Sequence, residues 1–403
     1  MRIVDIRERA VPVSRYADVS IAAAALTTSV VAVTTDVVVD GVLVVGYGFS
    51  SFGRFAQSGL IRERFAPRLL RASPSSLVNS AGDNFDPFRA WEVMMHGEKP
   101  GGHGERCVAV GTLDMAIWDA AAKIASAPLC EFLAESVGTV PIAEEVPAYA
   151  AGGYAYPGDD IRHLSDEVRR FLDFGYTRVK IKIGATDLSR DLKRVEAVLK
   201  LLRAPDCLAV DAMHAYNRAS ATEVAAKLQG YSLWWIEDFL DPLDFEGLAH
   251  LATAYPGNIA VGESLFSESE AGLLDLYGGL NRQRDFLLFD PVHCYGIPGY
   301  LRIVTRLLDK GWPRSAFWPH GGHLFSIHVA KALGLGGVEV NPLSFRPFGG
   351  LADGAKLHAG KVPVPQHLGI GFEHKSGLRH LFEQNKASPV QTERTALKVT
   401  GNY

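Results

Sequence analysis

Cysteine is scarce in this chain: Cys107, Cys130, Cys207 and Cys294 are the only four in 403 residues, widely spaced and without a C-x-x-C pair. That excludes a disulfide framework and a structural zinc site, and leaves buried thiols as the reading. Charge of one sign is also missing, because 41 Lys and Arg face 45 Asp and Glu, for a net charge of −4. With the basic residues scattered, no stripe exists to neutralise a phosphate backbone, so nucleic acid is not an expected partner. Long apolar runs are lacking too. The most apolar stretch, Ser20 to Gly48, is interrupted by Thr27, Thr28, Ser29, Thr34, Thr35, Asp36 and Asp40, short of the roughly 18–20 apolar residues of a membrane helix. The opening MRIVDIRERA has no signal-peptide centre, so a cytoplasmic protein without a membrane partner is expected. Finally there is no G-x-G-x-x-G. The cluster Gly334-Leu335-Gly336-Gly337 has the wrong spacing and comes too late for a dinucleotide fold.

What is present is an ordinary globular composition, 47% apolar, which rules out a disordered or fibrous chain. Two β-branched runs on either side of Asp40-Gly41 predict a hairpin, hence a small antiparallel sheet at the start. From Ile61 the pattern turns helical, and the Ala-rich run from Glu105 predicts a long helix that stops before Pro128. Residues 1–143 therefore read as an α+β unit. After Pro147, short apolar runs alternate with helical stretches. The candidate strands are Val146–Ala150, Arg178–Ile183, Cys207–Asp211, Leu233–Glu237, Ile259–Glu263, Phe286–Asp290, Ala316–Pro319 and Gly337–Val340. Eight such strands over residues 144–370 predict a closed parallel (β/α) barrel, and 371–403 read as a polar tail packing back on the first unit.

Six strands deliver an ionisable residue at or just past their C-terminal ends: Lys182, Asp211, Glu237, Glu263, Asp290 and His320, separated by 29, 26, 26, 27 and 30 residues. In a parallel barrel that interval returns each residue to one rim, where catalytic groups of such barrels gather. Any one of these acids alone reads as a solvated or salt-bridged strand end. Three on consecutive strands, Asp211, Glu237 and Glu263, read as a metal site, and hard oxygen ligands without cysteine favour Mg²⁺ over zinc. Lys180-Ile-Lys182 alternates on one strand, so both amines share a face. Elsewhere the pattern would mark an exposed sheet edge; here the two ammonium groups should depress a lysine pKa and make one a base. Asp290 and His320, one βα unit apart, read as a carboxylate that orients an imidazole. A two-histidine metal reading of His320 and His323 stays open, and His214 and His293, just past strand ends, are candidate pocket residues.

These residues, in the runs VKIKIG, LAVDAMHAYN, WWIEDFLDP, IAVGESLF, LLFDPVHCYG and WPHGGH, together with VGTLDMAIWDAAAKIASAPL, resemble the enolase superfamily and its mandelate racemase subgroup. The resemblance covers nearly the whole chain. It implies an α+β cap over a (β/α)7β barrel, Mg²⁺ on Asp211, Glu237 and Glu263, and removal of a proton next to a carboxylate, commonly in a homo-oligomer. The segments HGEKPGGHGERCVAVGT, AGGYAYPG, PHGGH and RPFGG look most like those of D-tartrate dehydratases. That likeness implies a small hydroxy diacid or acid sugar as substrate, with Lys99, Lys180, Tyr156, Asp18, Phe52 and His214 as contacts. It departs at Asp18-VSIAAAALT, poor in polar groups, at Phe52, where a polar residue would be expected, and at Met213-His214. The expected chemistry is α-proton abstraction by Lys182, an enediolate stabilised by Mg²⁺ and Lys180, and loss of the β-hydroxyl protonated by His320, D-tartrate giving oxaloacetate. Racemisation or epimerisation by the same Lys and His is the alternative. A metal-dependent hydrolase or aldolase, which KxK without HxH disfavours, and a non-catalytic protein are the remaining readings. The loops Tyr16–Leu26 and Ser50–Phe55 read as a lid over the pocket.

Overall fold

The computed structural model describes residues 1–17, 21, 26–140 and 144–385. Strands β1 (Ile3–Val13), β2 (Leu26–Val39) and β3 (Val42–Phe49) form an antiparallel sheet in that order. The expected hairpin is present: Asp40 and Gly41 both take positive φ, 51° and 78°, the left-handed pair that matches the twist of the flanking strands. A single wide helical turn, Leu60–Phe65, leads into α1 (Ala66–Arg71), followed by α2 (Pro87–Met95), α3 (Glu105–Ile124) and α4 (Leu129–Val137). Helix α3 is apolar on almost every face because it is covered twice. Strand β3 lies along one side, and on another the loop after the sixth barrel strand comes so close that a Cβ at Gly111 would stand 1.8 Å from the Val292 carbonyl oxygen.

The barrel then alternates strand and helix: β4 (Glu145–Gly152), α5 (Asp160–Asp173), β5 (Val179–Lys182), α6 (Leu188–Leu199), β6 (Leu208–Asp211), α7 (Arg218–Leu228), β7 (Trp235–Glu237), α8 (Phe245–Ala254), β8 (Ile259–Val261), α9 (Glu268–Tyr277), β9 (Phe286–Leu287), α10 (Ile297–Asp309), α11 (Leu324–Leu333) and β10 (Val338–Val340). The parallel sheet runs β10-β4-β5-β6-β7-β8-β9. The expected seventh strand, Ala316–Pro319, shrinks to one parallel bridge, Leu287 to Phe317, since it follows a tight turn at Arg314–Ala316 and its Pro319 has no N–H to give. It still closes the ring: Trp318 N donates to Leu287 O at 2.9 Å, and Glu339 N donates to Pro319 O at 3.2 Å. Alternation sorts the side chains. Val179, Ile181, Val210, Ile236 and Ile259 face the helices, while Tyr149, Ala209, Trp235, Ala260, Leu288 and Trp318 pack together inside the ring.

Strand β11 (Lys361–Pro363), absent from the sequence expectation, pairs antiparallel with β4, and α12 (Ser376–Asn385) lays Phe382 on Tyr47 of β3 with ring centroids 4.3 Å apart. All four cysteines are buried and free. No helix among the described residues is long and apolar enough to cross a membrane.

Candidate active site

Register aligns the polar ends of the strands. Lys182 sits opposite Asp211, and Asp211 opposite Glu237, across adjacent parallel strands. Glu263 lies past the end of β8, after Gly262, whose φ of +124° lets the chain turn out of the strand next to the backbone of Leu288. The result brings one oxygen from each of Asp211, Glu237 and Glu263 within 4.8 Å of the others. Asp211 accepts from Met213 N at 2.8 Å, and Glu237 accepts from the indole N–H of Trp235 at 2.8 Å. Glu263 Oε2 is buried and makes no hydrogen bond among the described residues. A buried carboxylate oxygen that makes no hydrogen bond, beside two more carboxylates, fits a hard divalent cation.

Both lysines of the KxK pair point inward. Lys180 is fully buried, its Nζ 2.5 Å from Glu237 Oε1, 3.2 Å from Glu339 Oε2 and 3.4 Å from Asp211 Oδ2. Lys182 pairs with Asp211 and reaches the cavity wall. The expected depression of a lysine pKa is reversed here. Burial pushes Lys180 down but Glu237, Glu339 and Asp211 hold it well above the ordinary range. For Lys182, burial and the Lys180 charge push down, and Asp211 pushes up further, for a net rise. The carboxylates around the two amines outweigh the repulsion between them. Reciprocally, Asp211 is pushed up by burial and pulled below its ordinary value by Lys182 and Lys180, whereas Glu237 is raised by burial, against Lys180 and with Asp211 adding to the rise.

Across the cavity, with β4 and β10 between, stands His320. Its Nδ1 lies 2.9 Å from Asp290 Oδ2, and its Nε2 lies 3.5 Å from Glu263 Oε2. Burial lowers this imidazole, but Glu263, Glu339 and Asp290 raise it to about 9. Asp290 is pushed up by burial and held below its ordinary range by His293 and His320. It also accepts from Ser51 Oγ at 2.6 Å and from Val292 N at 2.7 Å, so a residue of the N-terminal unit touches the His–Asp pair. His323 reaches the same Ser51 Oγ at 3.1 Å rather than the carboxylate trio, so the structure brings His320 to Asp290 and does not join it to His323 in a two-histidine site.

Lys182, Glu263, His320 and Glu339 open onto a cavity of about 240 Å³, whose wall also holds Arg15, Leu26, Phe52, Gly53, Arg54, Tyr154, Met213, His214, Ser264, His293 and Phe345. The two stretches read as a lid do contribute to it, through Arg15, Leu26, Phe52, Gly53 and Arg54, whereas Asp18 lies outside the described residues. Phe52 stacks on Phe345 with centroids 4.2 Å apart. His214 is at the wall with both ring nitrogens engaged, Nδ1 2.7 Å from Leu240 O and Nε2 3.0 Å from Ser264 Oγ. Three expected contacts do not line the cavity. Lys180 is sealed behind its carboxylates, because the strand alternation that points it inward also places it one layer deeper than Lys182. Tyr156 is buried with its hydroxyl on Glu167, and Tyr154, two residues earlier, takes the place at the wall. Lys99 is exposed and borders a separate depression with Trp91, Met95 and Arg106. Conversely Glu339, 2% exposed, escaped the sequence reading. It stands 19 residues after His320, outside the interval of the other six, and its one signal was an acid between two valines in a strand.

Backbone strain gathers here. Ser51, Met213, His214, Asp238 and Phe345 all take positive φ, between 47° and 60°, without being glycine.

Residues 163–377 match the family described as enolase C-terminal domain-like. The chain is 26% identical over 294 residues to arabinonate dehydratase of Saccharolobus solfataricus, covering 71% of this chain and 74% of that protein. It is 28% identical over 335 residues to L-talarate/galactarate dehydratase of Salmonella typhimurium, covering 81% and 76%. Among solved structures it is similar to L-talarate dehydratase from Polaromonas sp. JS666, complexed with Mg and L-glucarate, with a TM-score of 0.71, 25% identity and coverage of 94% and 96%. A barrel rim bearing these six residues, a family match over more than half of the chain and neighbours that agree from end to end lead to one conclusion: the chain belongs to the enolase superfamily, through its mandelate racemase-type C-terminal domain.

Proposed function

We propose that the protein is a Mg²⁺-dependent dehydratase of a hydroxy diacid or acid sugar, with D-tartrate to oxaloacetate as the simplest case. The observation that carries this is the placement of Lys182 and the Asp290-held His320 on different walls of one cavity, beside three carboxylates of which one has a buried oxygen with no hydrogen bond among the described residues. The dehydratase relatives support the same reading. Asp211, Glu237 and Glu263 would hold Mg²⁺, which when bound offsets the negative charge that develops on a substrate carboxylate as the α-proton leaves. Carboxylates engaged as ligands no longer neutralise the lysines, so the repulsion between Lys180 and Lys182 then favours a neutral amine. Lys182 takes the α-proton as the C–H bond breaks. His320 gives its Nε2 proton to the β-hydroxyl as the C–O bond breaks, water departs, and the enol tautomerises to a 2-keto acid. Lys180 acts from behind, fixing Glu237 and Glu339.

The test is proton NMR in D₂O with a panel of tartrates, malates and longer aldaric acids, following α-proton exchange and keto-acid formation. Keto acid from one stereoisomer is expected. Exchange without keto acid would replace dehydration with racemisation. Lys182→Ala and His320→Asn should each lose about three or more orders of magnitude in turnover while still binding Mg²⁺; near wild-type rates in either would overturn the roles given.

A further inference from the structure

Two side chains on the cavity wall away from the lysines have no partner of their own kind. Arg54, on the segment after β3, places its guanidinium carbon 4.8 Å over the Phe266 ring and donates to Ser264 Oγ at 3.3 Å. Among the described residues no carboxylate pairs with it. His293, after β9, is 2% exposed, and neither ring nitrogen makes a hydrogen bond. Asp290 Oδ2, at 3.9 Å from Nε2, is beyond hydrogen-bonding reach. The His293 ring lies perpendicular to the same Phe266 with centroids 5.7 Å apart, and 5.8 Å from His320, so Arg54 and His293 share Phe266 as a neighbour. Leaving a buried imidazole unsatisfied is costly, and an unpaired guanidinium in a cleft is a standing attraction for an anion. The acids among the described lining residues, Glu263 and Glu339, stand with the lysines and His320, so none of them serves Arg54.

We propose that Arg54 and His293 form a distal subsite, Arg54 for a second carboxylate and His293 for a hydroxyl near it, so that the substrate is a hydroxylated dicarboxylate rather than a monocarboxylate. This rests on the dehydratase reading and narrows its substrate class. The cavity, about 240 Å³ as the described residues bound it, falls below the roughly 300–1,000 Å³ of sites for drug-sized ligands and suits an acid of few carbons. Arg15 is a second guanidinium at the wall, but it lies over Tyr154, the ring that Lys182 also approaches, and so belongs to the lysine side.

The experiment pairs aldarates of four to six carbons with aldonates of the same configuration, which differ only in carrying –CH₂OH in place of the second carboxylate. The Mg²⁺-loaded wild type, Arg54→Gln, Arg54→Lys, Arg15→Gln and His293→Asn proteins are compared by α-proton exchange and keto-acid formation. The wild type should prefer at least one aldarate over its aldonate by on the order of 100-fold in kcat/KM. Arg54→Gln should cut that ratio by roughly 30-fold, chiefly through KM, and Arg54→Lys should restore part of it. His293→Asn should lower kcat/KM for the same aldarate. Equal use of aldonate and aldarate by the wild type would overturn the proposal and leave the dehydratase reading standing, as would a ratio that collapses in Arg15→Gln but survives in Arg54→Gln. Absence of exchange with every acid would overturn both.

Discussion

At the scale of single residues, Ser51 joins two histidines. Its one hydroxyl proton goes to Asp290, at 2.6 Å, so the 3.1 Å contact with His323 must be donated by His323 Nε2. That fixes the His323 tautomer, and burial holds this ring neutral, its pKa lowered to about 3. Two donor arms, His323 through Ser51 and His320 directly, converge on Asp290, which accepts from both neighbours. Ser51→Ala should therefore lower kcat by about tenfold with KM nearly unchanged, less than Asp290→Asn and far less than His320→Asn. Steady-state kinetics of the three variants checks the order, and an Asp290→Asn protein more impaired than His320→Asn would break it. The six rim residues were legible because a chemical type recurred at a structural interval. Ser51 and Arg54 were not legible as partners, since each owes its place to a contact with a segment more than 200 residues away, of which spacing retains no trace.

At the scale of elements, the contact between α3 and the loop after β9 positions the acid side of the site. A Cβ at Gly111 would stand 1.8 Å from Val292 O, and Val292 adjoins His293. Backbone cannot give way as a side-chain tip would, so Gly111→Ala should destabilise the fold by about 1–3 kcal/mol and lower turnover at the same time. Thermal unfolding and kinetics on one preparation check this; a stability loss with unchanged kcat would show that the loop adjusts without moving its histidine. Strand positions were mostly legible from apolar runs, while strand lengths were not. The expected strands at Phe286–Asp290 and Ala316–Pro319 shorten to Phe286–Leu287 and a bridge at Phe317, because ladder length depends on where each neighbour bends away. β11 was missed for a similar reason: its three residues gain their partner only when β4 is already in the ring.

At the scale of the whole molecule, His328 of α11 ties three parts together. Its Nδ1 accepts from Cys130 N of α4 and its Nε2 donates to Ile370 O, each at 3.2 Å. Burial lowers its pKa from 6.5 to about 4. Between those values the unfolded chain binds a proton that the folded chain refuses, so this contribution is complete above pH 6.5 and is lost as pH falls toward 4. It amounts to on the order of 3 kcal/mol. Denaturant midpoints measured across that interval should fall with acid, and His328→Gln should flatten part of the slope; an unchanged slope would remove His328 from the account.

The indoles are divided along the same lines. Of the six tryptophans, Trp91 and Trp118 belong to the N-terminal helices and Trp312 sits among the barrel helices on Asp275, whereas Trp234, Trp235 and Trp318 crowd the inside of the barrel, Trp234 and Trp235 with ring centroids only 3.7 Å apart at 40° and Trp318 5.0 Å from Trp234. Chromophores this close and this skewed couple their transitions, so the barrel interior should carry a strong exciton band in circular dichroism that the two N-terminal indoles do not contribute to. The protein thus has a built-in optical label for its barrel. If that band and the emission of Trp91 and Trp118, read in a Trp312→Phe protein as the part lost in a further Trp91→Phe/Trp118→Phe variant, vanish together on heating, the N-terminal unit and the barrel melt as one body; if the emission shifts first, the cover lifts while the ring beneath it is still intact.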